Sequence, residues 1–214
     1  VVFLLLSPSS LLPSMIQDLD GIYLLDTNHV GFTGTVGVYV LQGDDGFALI
    51  ETGPGSTLST IKQSIASLGL ELSNLKAILV THIHLDHAGA AGQLARETGA
   101  TLYVHERGAP HLIDPSKLLA SAERIYGDLM KPLWGTMVPA PRENVVALTD
   151  GERLKIVGHT VDVLYTPGHA SHHVAFLLEG ETMFTGDAAA IHFAGSSVIR
   201  PALPPPEIDL ELWQ

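Results

Sequence analysis

Three histidines and an aspartate fall within six residues in the run Thr81-His-Ile-His-Leu-Asp-His-Ala-Gly89, which follows directly on the apolar stretch Ala77-Ile-Leu-Val80. A continuous apolar stretch of this kind is the pattern of a strand buried on both faces. The chain must therefore place a buried strand so that it ends on a crowded polar turn. Histidines two apart in extended backbone point to the same side, so His82 and His84 can share one target. The chain then turns, and Asp86 with His87 reaches a neighbouring position. Neutral imidazole with carboxylate suits zinc, iron or manganese. A polar loop capping the next helix would use Asp86 alone and leaves the three histidines without a purpose.

Two later segments repeat the arrangement of a polar ligand at a strand end. Thr166-Pro-Gly-His169 follows one apolar run and Phe184-Thr-Gly-Asp187 follows the next. Around them the pattern predicts strands over residues 21–27, 36–42, 47–51, 77–81 and 101–105. Helices are expected over 58–68, 88–98 and 114–126, the last opened by Asp114-Pro115. Residues 130–142 read as a Pro-rich loop. Short strands are expected at 145–148, 153–157, 161–166, 173–178 and 182–185. Mixed helices and many strands, the strands dense in the second part, imply a layered α/β sandwich.

Composition narrows the chemistry. The 214 residues contain no cysteine, which removes disulfides, thiolate metal sites and cysteine nucleophiles. The formal charge of −12 leaves no basic surplus for phosphates, so neither nucleic acid nor an anionic membrane is an expected partner. No run of eighteen apolar residues occurs, and a cytoplasmic chain acting on a small molecule is expected. There is no Gly-x-Ser-x-Gly elbow for a serine nucleophile.

The ordered set His82-x-His84-x-Asp86-His87, Pro-Gly-His169 and Gly-Asp187 resembles the metallo-β-lactamase fold superfamily over about residues 21–191, and most closely its glyoxalase II-like small metallohydrolases. The resemblance implies a four-layer αβ/βα sandwich holding two divalent metal ions, zinc first, with iron or manganese as alternatives. By that resemblance His82, His84 and His169 hold one ion, Asp86 and His87 hold the second, and Asp187 bridges both. The implied reaction is attack by a metal-bound hydroxide on an ester-like, thioester or lactone carbonyl, with Asp86 orienting the nucleophile. Rival readings are an iron-dependent oxidoreductase of the sulfur dioxygenase or diiron type, a nuclease of the same superfamily, and an inactive metal-binding fragment.

This sequence departs from the family pattern in two places. Glu51-Thr-Gly53 stands where the family has Asp-Thr-Gly, so Glu51 is expected to steady the histidine turn from behind on a longer arm. The family's last metal-binding histidine is expected beyond Gln214, since His192 lies too close to Asp187 in sequence. The expectation is thus a domain over residues 15–214 lacking its last strand and helix, preceded by an extension, 1–14, outside the core. A stiff Pro201–Pro206 link should lead into a helix beginning near Glu207. His29 and His172 are candidate substrate-pocket residues, with an exposed loop position the plainer expectation for His29. His173 is expected to serve a core hydrogen bond, and His105, His111 and His159 to be structural.

Overall fold

The structure, a computed structural model, describes residues 15–192, 197–203 and 208–213, with His192 in backbone only. Strand β1 (Ile16–Leu19) turns through Asp20 and Gly21, at φ 56° and 90°, into β2 (Ile22–Asp26). β3 (Gly37–Gly43) and β4 (Gly46–Ile50) form the expected hairpin. Helix α1 (Leu58–Ser67) leads to β5 (Leu75–Leu79), and α2 (Leu85–Ala88) with α3 (Ala91–Thr98) leads to β6 (Thr101–His105). Helices α4 (Ala109–Ile113), α5 (Ser116–Tyr126) and α6 (Met130–Trp134) precede β7 (Val145–Leu148). These seven strands make one sheet in chain order, antiparallel from β1 to β4 and parallel from β4 to β7. A second, antiparallel sheet has the order β11-β10-β9-β8, from β8 (Arg153–Ile156), β9 (His159–Tyr165), β10 (Val174–Leu178) and β11 (Thr182–Phe184). A short pair, β12 (Ile191–His192) and β13 (Ile199–Arg200), follows.

The period-two alternation of the central strands builds two cores. Val38 and Val40, Leu49 and Ile78 face the helices, where they meet Ile61 and Ile65 of α1 and Leu94 and Ala95 of α3. Tyr39 and Leu41, Ile50 and Leu79 face the other way and pack on Val161, Val163, Phe176 and Leu178 of the second sheet. A strand buried on both faces has no polar side to spare, which explains the unbroken apolar run before the histidines. The described residues build three layers of the expected four: helices, larger sheet, smaller sheet. The outward face of the smaller sheet carries the Arg153–Asp162 ion pair, with Leu164 and Leu177 half-buried and Met183 exposed.

Some local expectations are corrected. The Met15 region is a paired strand and no mere lead-in. The Pro-rich stretch holds α6, because Pro132 is its third residue and the first turn of a helix does not need that N–H. Helix α4 was not expected. The helix expected over 88–98 starts only at Ala91 as α3, after the separate short α2 that ends at Ala88; between them the Ala90 N–H donates to Gly53 O. The described part of the expected C-terminal helix is a turn, with Asp209 Oδ1 accepting from the N–H groups of Glu211 and Leu212. The segment 1–14 lies outside the described residues. No described helix is long and apolar enough to cross a membrane.

Candidate metal centre

Parallel pairing of β4 and β5 puts their carboxyl ends side by side, and residues just past such ends are where open α/β sheets bind ligands. Glu51 and Thr81-His82 occupy those positions. In the second sheet, β9 and β11 both run toward the same end as the start of β10, which brings the His169 turn and the Asp187 turn there too. One hydrogen bond, Val174 N–H to Thr81 O at 2.8 Å, joins the two sheets at this point.

The first group is a triangle of ring nitrogens. His82 Nε2 lies 3.0 Å from His84 Nδ1 and 3.2 Å from His169 Nε2, and His84 Nδ1 lies 3.0 Å from His169 Nε2. The tautomers follow from the outer partners. Thr81 Oγ1 donates to the Glu51 carboxylate at 2.5 Å, so it must accept from His82 Nδ1–H at 3.0 Å. His169 Nδ1 must donate to the Ala202 carbonyl at 2.9 Å. Both Nε2 atoms are therefore bare lone pairs aimed at each other. Such an arrangement is repulsive unless a cation, or a proton on His84 Nδ1, sits between them. The nitrogen spacings are slightly shorter than the roughly 3.3 Å edge of a tetrahedron with zinc–nitrogen bonds of about 2.0 Å. The donor set fits a divalent cation. Burial pushes the pKa of His82 well below the ordinary histidine value, and burial with the neighbouring His169 lowers His84 to about 4. Both rings are thus neutral and ligand-competent at pH 7.

The second group is richer in carboxylate. His87 Nε2 stands 3.5 Å from Asp86 Oδ2 and 3.3 Å from Asp187 Oδ1, while Asp187 Oδ2 stands 3.3 Å from His169 Nε2. Asp187 therefore faces both groups, one oxygen to each. His82, His87 and Asp187 also converge closely enough to share an ion. Burial opposes charge on His87, but Asp86, Asp187 and Glu51 outweigh it and raise its pKa well above the ordinary value. Burial likewise opposes charge on Asp187, and His87 outweighs it, holding the carboxyl far below its usual range. His87 Nδ1 lies 3.2 Å from Glu51 Oε1 yet is too poorly aligned for a hydrogen bond, leaving a buried nitrogen unsatisfied.

The supports are specific. Glu51 sits at φ 66°, turned so that one carboxylate reaches both Thr81 and His87. Thr52 donates through N–H and Oγ1 to the His87 carbonyl. His173 pairs with Thr166 Oγ1 at 2.7 Å and accepts from the Asp187 N–H at 3.2 Å, the core hydrogen-bonding role expected of it. Gly186, at φ 49°, has no room for a side chain: a Cβ there would fall 2.4 Å from Thr81 Oγ1 and 2.8 Å from His173 Nε2. Trp213 Nε1 donates to Ala188 O while its ring edges His169, and Asp209 N–H donates to Gly168 O. A Cβ on Gly168 would strike Trp213 at 2.5 Å.

A family model described as the metallo-beta-lactamase superfamily matches residues 32–213, covering the larger sheet from β3 onward, the smaller sheet and every residue of the two groups. The chain belongs to the metallo-beta-lactamase superfamily. It is 30% identical over 196 residues to the metallo-beta-lactamase fold-containing protein ST1585 of Sulfurisphaera tokodaii, covering 90% of this chain and 70% of that protein. The solved structure of ST1585 matches with a TM-score of 0.71 at 27% identity, over 92% of this chain and 73% of that one. Among other relatives, the hydroxyacylglutathione hydrolase GloC of Haemophilus influenzae is 34% identical over 135 residues, 63% of this chain and 58% of GloC. An atrochrysone carboxyl ACP thioesterase of Aspergillus fumigatus is 32% identical over 155 residues, 71% of this chain and 28% of the thioesterase. The chain thus spans less than two thirds of both of these enzymes.

In this metallo-beta-lactamase superfamily member a cavity of about 540 Å³ opens beside the first group, lined at one end by His84, Asp86, His169, His172 and Asp187. A smaller one of about 220 Å³ lies on the other side, against Glu51, His87 and Phe184. Asp86 and Asp187 border both. Two histidine assignments are corrected. His29 does not line the larger cavity and is not exposed: its Nε2 bonds Leu133 O at 2.8 Å and its ring stacks on Trp134, which does line it. His111, expected to be structural, lines the cavity wall. His105 stacks on Tyr165 and accepts from Arg107 N–H, and His159 bonds Gln42 O; both serve the fold. Sequence reasoning missed Thr81, Trp213 and the cavity face of α5. Thr81 was visible beside the motif, but nothing in the sequence signals the other contacts.

Proposed function

We propose that the chain is a metal-dependent hydrolase of an ester-like, thioester or lactone carbonyl. The observation that carries this reading is the pair of bare Nε2 atoms of His82 and His169, 3.2 Å apart and closed into a triangle by His84 Nδ1, at the wall of an open cavity. His82, His84 and His169 would hold one divalent ion. Asp86 and His87 would hold a second, with Asp187 shared. Ions bound there, zinc foremost with iron or manganese as alternatives, supply Lewis acidity and lower the pKa of a water toward about 7. The residues of the chain do the rest. Glu51, through Thr81, keeps His82 in its Nδ1–H tautomer, and the Ala202 carbonyl does the same for His169. The Asp86 side chain is 37% exposed at the border of both cavities, which supports its orienting an attacking water and accepting its proton. The names of GloC, a hydroxyacylglutathione hydrolase, and of the atrochrysone carboxyl ACP thioesterase support this reaction class.

The test is reconstitution of the full chain with zinc, manganese or iron, followed by assay of a p-nitrophenyl ester, an acyl thioester and a lactone. Metal-dependent hydrolysis abolished by chelator is expected, with Asp86→Asn lowering kcat more than metal content. Oxygen consumption by the iron form without hydrolysis of any of the three would overturn the reading.

A further inference from the structure

We infer that the larger cavity receives an uncharged, apolar acyl chain laid against α5; this rests on the hydrolase reading and names the substrate class for it. Two rows of α5 at i, i+4 spacing line the cavity, Lys117–Ser121–Ile125 and Leu118–Ala122–Tyr126. Residues four apart lie on one face of a helix, so the whole of that face is turned to the cavity. Apart from the aspartates of the metal groups, Lys117 is the one permanently charged residue in the described lining, and it is exposed to solvent. Trp134 and Leu203 add apolar wall elsewhere.

Exposure identifies the kind of ligand. Ile125 is 57% exposed and Leu203 is 53% exposed, and both border this cavity. Large aliphatic side chains left open beside a concave site are covered when an apolar ligand enters, and that burial contributes about 25 cal/mol per Å². A charged or strongly hydrated substituent laid against Ile125 and Leu203 would instead lose water to side chains that offer no hydrogen bond in return. The volume of about 540 Å³ falls in the ordinary range for a small-ligand pocket. The acyl carbonyl would then lie at the His84–His169–Asp187 end and the chain would run along the face of α5, with Ala122 setting the depth available to it.

The experiment uses the full 214-residue chain reconstituted with zinc and a series of p-nitrophenyl esters from acetate to decanoate. Each added methylene should raise kcat/KM about threefold to fourfold until the cavity is filled. Ala122→Phe should move the optimum to a shorter chain, and Ile125→Glu, on an exposed position that tolerates the change, should lower the decanoate-to-acetate ratio by about tenfold. In parallel, decanoate binding is followed by calorimetry, which needs no turnover. Hydrolysis with no dependence on chain length, or a ratio unmoved by Ile125→Glu, overturns the inference and leaves the hydrolase reading standing. Decanoate binding weakened by Ile125→Glu, without hydrolysis of any ester, acyl thioester or lactone, upholds the acyl site and sinks the hydrolase reading. Absence of both overturns both.

Discussion

The His82–His84–His169 triangle and the Asp86–His87–Asp187 group come from the same few loops and share one aspartate, yet they are built differently. In the triangle each of two histidines has its outer nitrogen tied to a fixed acceptor, Thr81 backed by Glu51 for His82 and the Ala202 carbonyl for His169. The inner nitrogens are left as lone pairs in a buried place, with His84 Nδ1 the ring nitrogen within hydrogen-bonding reach of both. The second group neutralises itself: a His87 held protonated by Asp86, Asp187 and Glu51 stands in for a cation. The difference teaches that the triangle is preorganised for a positive ion, whereas the carboxylate group must release a proton to accept one. Cation binding at the second group should therefore be the weaker and the more pH-dependent of the two.

The largest test of this contrast is Asp187→Ala, which removes the only carboxylate facing both groups among the described residues. Metal content should fall at both, and hydrolysis should drop about 10³-fold, roughly 4 kcal/mol of transition-state stabilisation. Elemental analysis decides it, and a variant that retains one ion at unchanged affinity would show that the groups are independent. Next in size is Glu51→Gln, which weakens the Thr81 relay behind His82 and removes a charge from beside His87. Metal affinity measured by chelator competition should fall about 10- to 100-fold, and Thr81→Val should reproduce the part that belongs to His82. An unchanged affinity in Thr81→Val would mean that the relay does not set the tautomer.

Acidification separates the two groups in another way. His84 and His105 are each lowered to about 4, chiefly by burial. The folded metal-free chain then binds fewer protons than the unfolded chain between the unperturbed value of about 6.5 and about 4. The stability these residues contribute is present above about pH 6.5 and lost as pH falls toward 4. His87, raised above its ordinary value, acts in the opposite sense: its contribution is full below about pH 6.5 and fades as pH rises through its folded value. Urea midpoints of the metal-free chain should fall from about pH 6.5 to 4, and His105→Gln should reduce the slope. A flat profile in that window would mean that the lowered rings are not held neutral.

The smallest expected effect concerns the strap formed by residues 208–213. Trp213→Phe keeps the ring against His169 but deletes the hydrogen bond to Ala188 O, worth about 1 kcal/mol. A loss of about fivefold in metal affinity is expected, sharper at the triangle than at His87. An equal loss in Trp213→Phe and Trp213→Ala would assign the whole effect to the hydrogen bond.

The sequence by itself determined the class of fold, the buried strand before the motif, and the six side chains that the structure gathers at one rim. It could do so because those signals are local: apolar runs, periodicity of two, and histidines and aspartates placed at strand ends. The Glu51 departure was also readable, since it occupies the place of a shorter acid. Tertiary structure alone decided which nitrogen of each histidine faces inward, because that depends on Thr81, Ala202 and their geometry across distant segments. It also withdrew His29 from the cavity, since Leu133 and Trp134, more than a hundred residues away, hold its ring. The face of α5 that lines the cavity was hidden for the same reason. Ile125 and Ala122 read simply as apolar helix positions, and only the packing of α5 beside the His169 turn makes them the wall of a site.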